Sequence, residues 1–149
     1  MKLNALKKQK QYYSGKKKRH TLKDQVVING ETGEIIDVFE DKGSVHDFEI
    51  FKKSKFRLPG NVLLLADKAY QGLHFYHSNS LVPFKKPRFG QLSLSQKKFN
   101  SFLSKFRIFI EHVNRSLKCF KILQFRYRNK LKKHFFRLSL ISGIFNFQL

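Results

Sequence analysis

The spacing of apolar side chains changes period several times along the chain, and each change predicts an element. From Arg19 to Asn29, the positions Leu22, Val26, Val27 and Ile28 favour a strand. Asn29-Gly30 and Thr32-Gly33 are expected to supply the φ > 0 residues of a tight turn. Glu34 to Glu40, with Ile35, Ile36, Val38 and Phe39, returns as the second strand of a hairpin. Ser44 is the expected N-cap of a short helix, with Asp47 in its first turn and Phe48, Ile50 and Phe51 on its buried face. Pro59-Gly60 interrupts the chain, and Val62 to Ala66 is a short continuous apolar run. Such a run reads as a strand buried on both faces. A short helix is expected over Tyr70 to Ser78 and a short strand over Leu81 to Phe84.

Ser93 or Ser95 caps a long helix that runs to about Cys119. Its Phe99, Phe102, Leu103, Phe106, Phe109, Ile110, Val113 and Leu117 fall on one side at helical spacing. A basic segment, Lys121 to Lys133, leads to a final helix expected to face Phe135, Phe136, Leu140, Ile141, Ile144 and Phe145 inward. Residues 1–18, with Lys at 2, 7, 8, 10, 16, 17 and 18, read as a basic arm or loop, and residues 19–149 as the folded part. The element order is that of a mixed α/β sheet. It opens on a hairpin whose neighbouring strand is expected upstream.

Composition narrows the class. A length of 149 residues suits one domain or a fragment of one. A content of 41% hydrophobic residues with 17 Phe is too apolar for a disordered polyelectrolyte. No run of about 18 uncharged apolar residues exists, so a membrane span is not expected. No secretory signal is visible, and the lone Cys119 excludes an internal disulfide and fits a reducing compartment. With 31 Lys and Arg against 10 Asp and Glu, the net charge is +21, which makes nucleic acid the expected partner.

The acids are unevenly placed. Residues 1–50 hold 10 basic and 8 acidic side chains, whereas residues 51–149 hold 21 and 2. The two acids of the second stretch are Asp67, where the apolar run ends, and Glu111, in the long helix. They are either remaining salt-bridge partners or carboxylates retained on a nucleic-acid surface to bind a metal ion. On a helical wheel Arg107, Glu111 and Lys118 share one stripe, flanked by Ser104, Asn114 and Arg115. The plain alternative is an Arg107–Glu111–Arg115 ladder at i,i+4 spacing. Carboxylates from a strand end and a helix can converge on Mg²⁺, which favours one or two carboxylates, waters and phosphate oxygens. His74 and His77 at i,i+3 lack a third zinc ligand nearby.

Four motifs point further. They are Tyr13-Ser14-Gly15-Lys16-Lys17-Lys18-Arg19-His20-Thr21-Leu22-Lys23, Gly43-Ser44-Val45-His46-Asp47, Leu65-Ala66-Asp67-Lys68-Ala69-Tyr70-Gln71-Gly72, and Arg107-x3-Glu111-x6-Lys118. In this order and spacing the chain resembles the C-terminal part of the DDE transposases of bacterial insertion sequences. The resemblance covers roughly Tyr12 to Leu149. It departs at Ala69, where relatives often carry Gly, and at Ser104, where many carry Tyr.

The resemblance implies an RNase H-like α/β fold, a mixed sheet with flanking helices whose first edge strand is missing. It implies DNA transposition through metal-dependent strand cleavage and transfer, with Asp67 as the second catalytic carboxylate and Glu111 as the third, holding Mg²⁺ or Mn²⁺. Lys16, Lys17, Lys18, Arg19, His20, Lys23, Arg107, Arg115 and Lys118 become DNA contacts at insertion-sequence ends. The family's first catalytic Asp precedes the Tyr-Ser-Gly-Lys segment, and no acid precedes Asp24 here. Asp37, Asp41 and Asp47 are possible substitutes. The chain is therefore expected to be inactive alone, as a homo-oligomer or as a fragment complemented by an upstream transposase piece, in the bacterial cytoplasm. The alternative from a different class is a non-catalytic basic nucleic-acid-binding protein.

Overall fold

Alternating side chains in two consecutive segments build the longest sheet of the structure. The computed structural model describes residues 12–125 and 132–149. It is a mixed α/β arrangement with three two-stranded sheets and four α-helices among the described residues. Strands β1 (Tyr13–Ser14) and β2 (Arg19–His20) form a small antiparallel hairpin. Strands β3 (Leu22–Ile28) and β4 (Ile35–Lys42) form the main one, pairing Leu22 with Lys42, Asp24 with Glu40 and Val26 with Val38. The order continues through α1 (Asp47–Ser54), β5 (Leu64–Leu65), β6 (Ser80–Leu81), α2 (Leu94–Cys119), α3 (Lys121–Gln124) and α4 (Lys132–Phe147). Among the described residues no helix is long and apolar enough to cross a membrane.

The core lies between the β3–β4 hairpin and the C-terminal helices. Ile35 and Val38 pack with Val113 and Leu117 of α2, Leu123 of α3, and Leu138 and Ile141 of α4. Asn146 fastens α4 to the sheet. Its side-chain Oδ1 accepts from the Ile35 N–H at 2.8 Å, and its Nδ2 donates to the Ile35 carbonyl at 2.9 Å. The amide thus replaces a strand partner for one residue of β4. Asn100 of α2 does the same for Phe84, with 2.8 and 3.0 Å bonds.

Several elements differ from the sequence expectation for local reasons. Residues 1–11 of the expected basic arm lie outside the described residues, as do residues 126–131 of the basic segment before α4; residues 13–14 belong to a hairpin. The expected strand from Arg19 is interrupted at Thr21, whose N–H donates to the Tyr12 carbonyl at 2.7 Å while its own carbonyl accepts from Gly43 N–H at 2.8 Å. The N-cap of α1 is His46, not Ser44. His46 has extended backbone, and its Nδ1 accepts from the Phe48 N–H at 3.3 Å.

The Val62–Ala66 run is not a doubly buried strand. The Val62 N–H is taken by the Pro59 carbonyl in a turn, only Leu64–Leu65 pairs, and Leu63 is half exposed. Its parallel partner, Ser80–Leu81, ends before Phe84, because the Asn100 side chain occupies the Phe84 backbone. Tyr70 to Ser78 forms no α-helix: 3₁₀ turns at Lys68–Tyr70 and Leu73–Phe75 are separated by Gly72 at φ +88°. The N-cap of α2 is Ser93, in a capping box with Gln96.

The two long helices bury narrower faces than expected. On α2 only Leu103, Val113 and Leu117 are buried, while Phe102, Phe106 and Phe109 are exposed. On α4 the inward row is His134, Leu138, Ile141 and Phe145, whereas Phe135, Phe136, Leu140 and Ile144 face outward. The final helix is apolar nearly all round, so periodicity does not choose its face. The partners on β4 do.

Candidate metal and DNA site

Asp67 follows β5 by two residues, after Ala66. The ladder places its strand by Leu64 N–H donating to the Asn79 carbonyl at 2.9 Å and Ala66 N–H donating to the Leu81 carbonyl at 3.1 Å. The chain then turns, and the exposed Asp67 caps that turn: its Oδ1 accepts from the Lys68 N–H at 2.7 Å. One carboxylate oxygen is thereby oriented by backbone, leaving the other for an outside partner. Tyr70, at the end of the same turn, packs edge-on against Phe48 and Phe51 of α1. Burial, followed by the charges of Asp47 and Asp67, pushes its phenol well above the ordinary range. The tyrosine stays neutral and carries the turn on α1.

Glu111 stands in the second half of α2, at 58% side-chain exposure. Its Oε1 accepts from Arg107 Nε at 3.1 Å, the i,i+4 pair that a single helix dictates. Asp67 and Glu111 thus meet solvent from two different elements, each oriented by a neighbour in its own segment. Each is a hard oxygen donor of the kind that Mg²⁺ and Mn²⁺ take.

The basic residues divide into two groups. Lys16, Lys17, Lys18 and Arg19 lie in and beside the β1–β2 turn and are exposed, with Lys18 in a left-handed conformation at φ +47°. The turn is braced below by Ser14, whose Oγ accepts from the Lys17 N–H, and by the edge-on contact of His20 with Tyr13. Arg115 and Lys118 are exposed on α2. Two other expected contacts are engaged within the protein: Lys23 Nζ pairs with Asp47 at 3.0 Å and donates to the Val45 carbonyl, and Arg107 holds Glu111. Among the possible substitute acids, Asp41 pairs with Lys53 at 3.0 Å and Asp47 with Lys23.

Sequence reasoning missed a second group of residues, of types that can ligate a metal. Asp24 on β3, Glu40 on β4 and His134 on α4 converge, with one ligand atom of each within 4.8 Å of the others. The signal was a phase: Asp24 falls on the same strand face as Leu22, Val26 and Ile28, and Glu40 on that of Val38. An acid in a core-facing register needs a partner, and the partner is a histidine that is fully buried. Burial pushes the Asp24 carboxyl above its ordinary value, opposed by His134 and reinforced by Glu40.

No solved structure matches the chain. A probable transposase for insertion sequence element IS702 from Microchaete diplosiphon is 44% identical over 143 residues. That alignment takes in 96% of this chain and 52% of the relative, so the chain spans about half the length of the curated relative it matches. The profile of the DDE superfamily endonuclease family matches residues 2–144, nearly the whole chain. The chain belongs to the DDE superfamily endonuclease family.

Proposed function

We propose that this chain supplies two carboxylates, Asp67 and Glu111, to a metal-dependent centre that cleaves and joins DNA strands during transposition. The observation that supports it best is the family match over residues 2–144, with one exposed acid at a strand end and one on the long helix of an otherwise basic half. Mg²⁺ or Mn²⁺ held there would activate a hydroxyl for in-line attack on phosphate and stabilise the leaving oxygen. The protein's own part is orientation. The Lys68 N–H fixes one oxygen of Asp67, Arg107 fixes Glu111, and the lysines of the β1–β2 turn with Arg115 and Lys118 supply positive charge for the DNA backbone. The charge of +21 makes that binding strongly salt-dependent.

The fold reading that goes with this is an RNase H-like sheet. The separate β3–β4 and β5–β6 pairs suit a sheet in which one more strand, carrying the first carboxylate, joins them. Two-metal phosphoryl transfer needs ligands that hold both ions roughly 4 Å apart, which Asp67 and Glu111 alone do not provide. A third carboxylate then comes from another transposase segment, from a second copy, or from Asp47. The setting is DNA-associated, in the bacterial cytoplasm, at insertion-sequence ends.

Incubating the purified 1–149 chain with supercoiled plasmid and Mg²⁺ or Mn²⁺ tests this. The chain is expected to bind and leave the plasmid intact, and nicking is expected to require an appended Asp-bearing strand. Robust nicking by the unextended chain, lost in Asp67→Ala, would overturn the need for a supplied carboxylate and point to Asp47.

A further inference from the structure

Asp24 and Glu40 are directly opposed on antiparallel strands, and like charges in such a pair repel. Their side chains are only 24% and 14% exposed, and the side chain that faces both is fully buried His134. A chain with 31 lysines and arginines sets an imidazole between these two acids. An ammonium carries charge and N–H donors but no lone pair, whereas a neutral imidazole offers one.

We propose that Asp24, Glu40 and His134 form a binding site for a divalent transition-metal cation of the zinc class, which ties α4 to the β3–β4 hairpin and is separate from Asp67 and Glu111. Two carboxylate oxygens and one imidazole nitrogen are a common donor set for such ions. Donors about 2.1 Å from one ion at tetrahedral angles lie roughly 3.4 Å apart. The Asp24 Oδ1 to His134 Nδ1 distance is 3.7 Å. The Glu40 Oε2 touches the same Nδ1, so an ion held by both requires that direct contact to open. A 2+ ion cancels the two opposed carboxylate charges and leaves the histidine neutral. Coordination by three residues from three elements, far apart in sequence, would couple ion binding to tertiary stability.

The test uses the full 1–149 chain carrying Asp67→Asn and Glu111→Gln, stripped of metal, so that its outcome is independent of the proposed nuclease site. Zn²⁺ is titrated calorimetrically, and Co²⁺ is followed by its visible absorption. One equivalent is expected to bind with a visible Co²⁺ band and to raise the unfolding temperature. Asp24→Asn and Glu40→Gln, which keep side-chain shape, are each expected to weaken binding at least tenfold, and His134→Gln to abolish it. His74→Gln with His77→Gln is expected to change nothing. If His134→Gln fails to fold, the two carboxamide variants decide. Absence of a saturating equivalent, or one that survives both carboxamide variants, would overturn the proposal and leave the trio as an ion-paired clamp.

Discussion

Arg107 and Glu111 are joined by a 3.1 Å bond between Nε and Oε1 along one exposed face of α2. With side chains 61% and 58% exposed, the pair contributes little to folding, about 0.3–0.5 kcal/mol. Its consequence is positional: Glu111 points where Arg107 holds it. Arg107→Ala is expected to lower the melting temperature by only about 1–2 °C and, by removing a competing cation, to raise Mn²⁺ affinity while weakening DNA binding. Calorimetric melting and a metal titration check both halves. A drop beyond about 5 °C would mean the pair is structural.

Gly43 is required by close approach. A Cβ there would meet Thr21 Oγ1 at 2.1 Å, the Thr21 carbonyl at 2.6 Å and the Tyr12 carbonyl at 2.9 Å, two of them backbone atoms. Gly43→Ala is expected to destabilise by about 2 kcal/mol or more, since the Thr21 anchor must move. Gly30→Ala, with nothing within 4 Å of its Cβ position, serves as control and is expected to be nearly neutral. Urea midpoints at matched slopes give the comparison.

Asn146 bridges α4 to β4 with both ends of its amide on the Ile35 backbone. Asn146→Ala leaves a partly buried N–H and C=O without that partner and is expected to cost about 1–3 kcal/mol. Asn146→Asp keeps the acceptor but faces the Ile35 carbonyl with a second oxygen, so it is expected to rescue little. Stability equal to the parent chain in the alanine variant would show that water satisfies Ile35 just as well.

How much of this was legible depended on whether a local signal decided the outcome. The β3–β4 hairpin was, because the alternation on either side and a connection turned by Gly33 at φ +83° act within a few residues; Asn29-Gly30, also expected to turn left-handed, does not. The start of α2 was, because Ser93 and Gln96 form a reciprocal cap inside one turn. The inward face of α4 was not: its residues are apolar on every side, and the choice of the His134–Leu138–Ile141 row is made by β4, about 100 positions away. The edges of β5 and β6 were not, because an Asn100 side chain and a Pro59 turn claim the backbone that would have extended them. Asp67 and Glu111 stood out by the scarcity of acids around them. Asp24 and Glu40 lay among other acids, and only the distant His134 gives them a role.

Asp41 carries a pH dependence. Partial burial raises its carboxyl, but the Lys42 N–H and the Lys53 ammonium outweigh that and hold it below the ordinary value. A depressed folded-state value means stability that is present above the unfolded value and lost as pH falls through the folded one. Asp41→Asn is expected to cost about 0.5 kcal/mol near neutral pH, and the gap to the parent chain is expected to close between about pH 4 and pH 2. Denaturation at a series of pH values reads the closing gap. A gap that persists unchanged at pH 2 would contradict the assignment.

The most direct test of the central claim is the metal response of DNA binding, measured as affinity with and without Mg²⁺ at fixed ionic strength. Asp67→Asn and Glu111→Gln each remove a negative charge from a surface proposed to face DNA. Each is expected to tighten binding several-fold without Mg²⁺ and to reduce the gain that Mg²⁺ gives the parent chain. Asp24→Asn is expected to leave that gain intact, because its site lies on other elements. If both Asp67→Asn and Glu111→Gln leave the Mg²⁺ response unchanged, these carboxylates hold no ion at the DNA, and the chain acts as a binding surface alone.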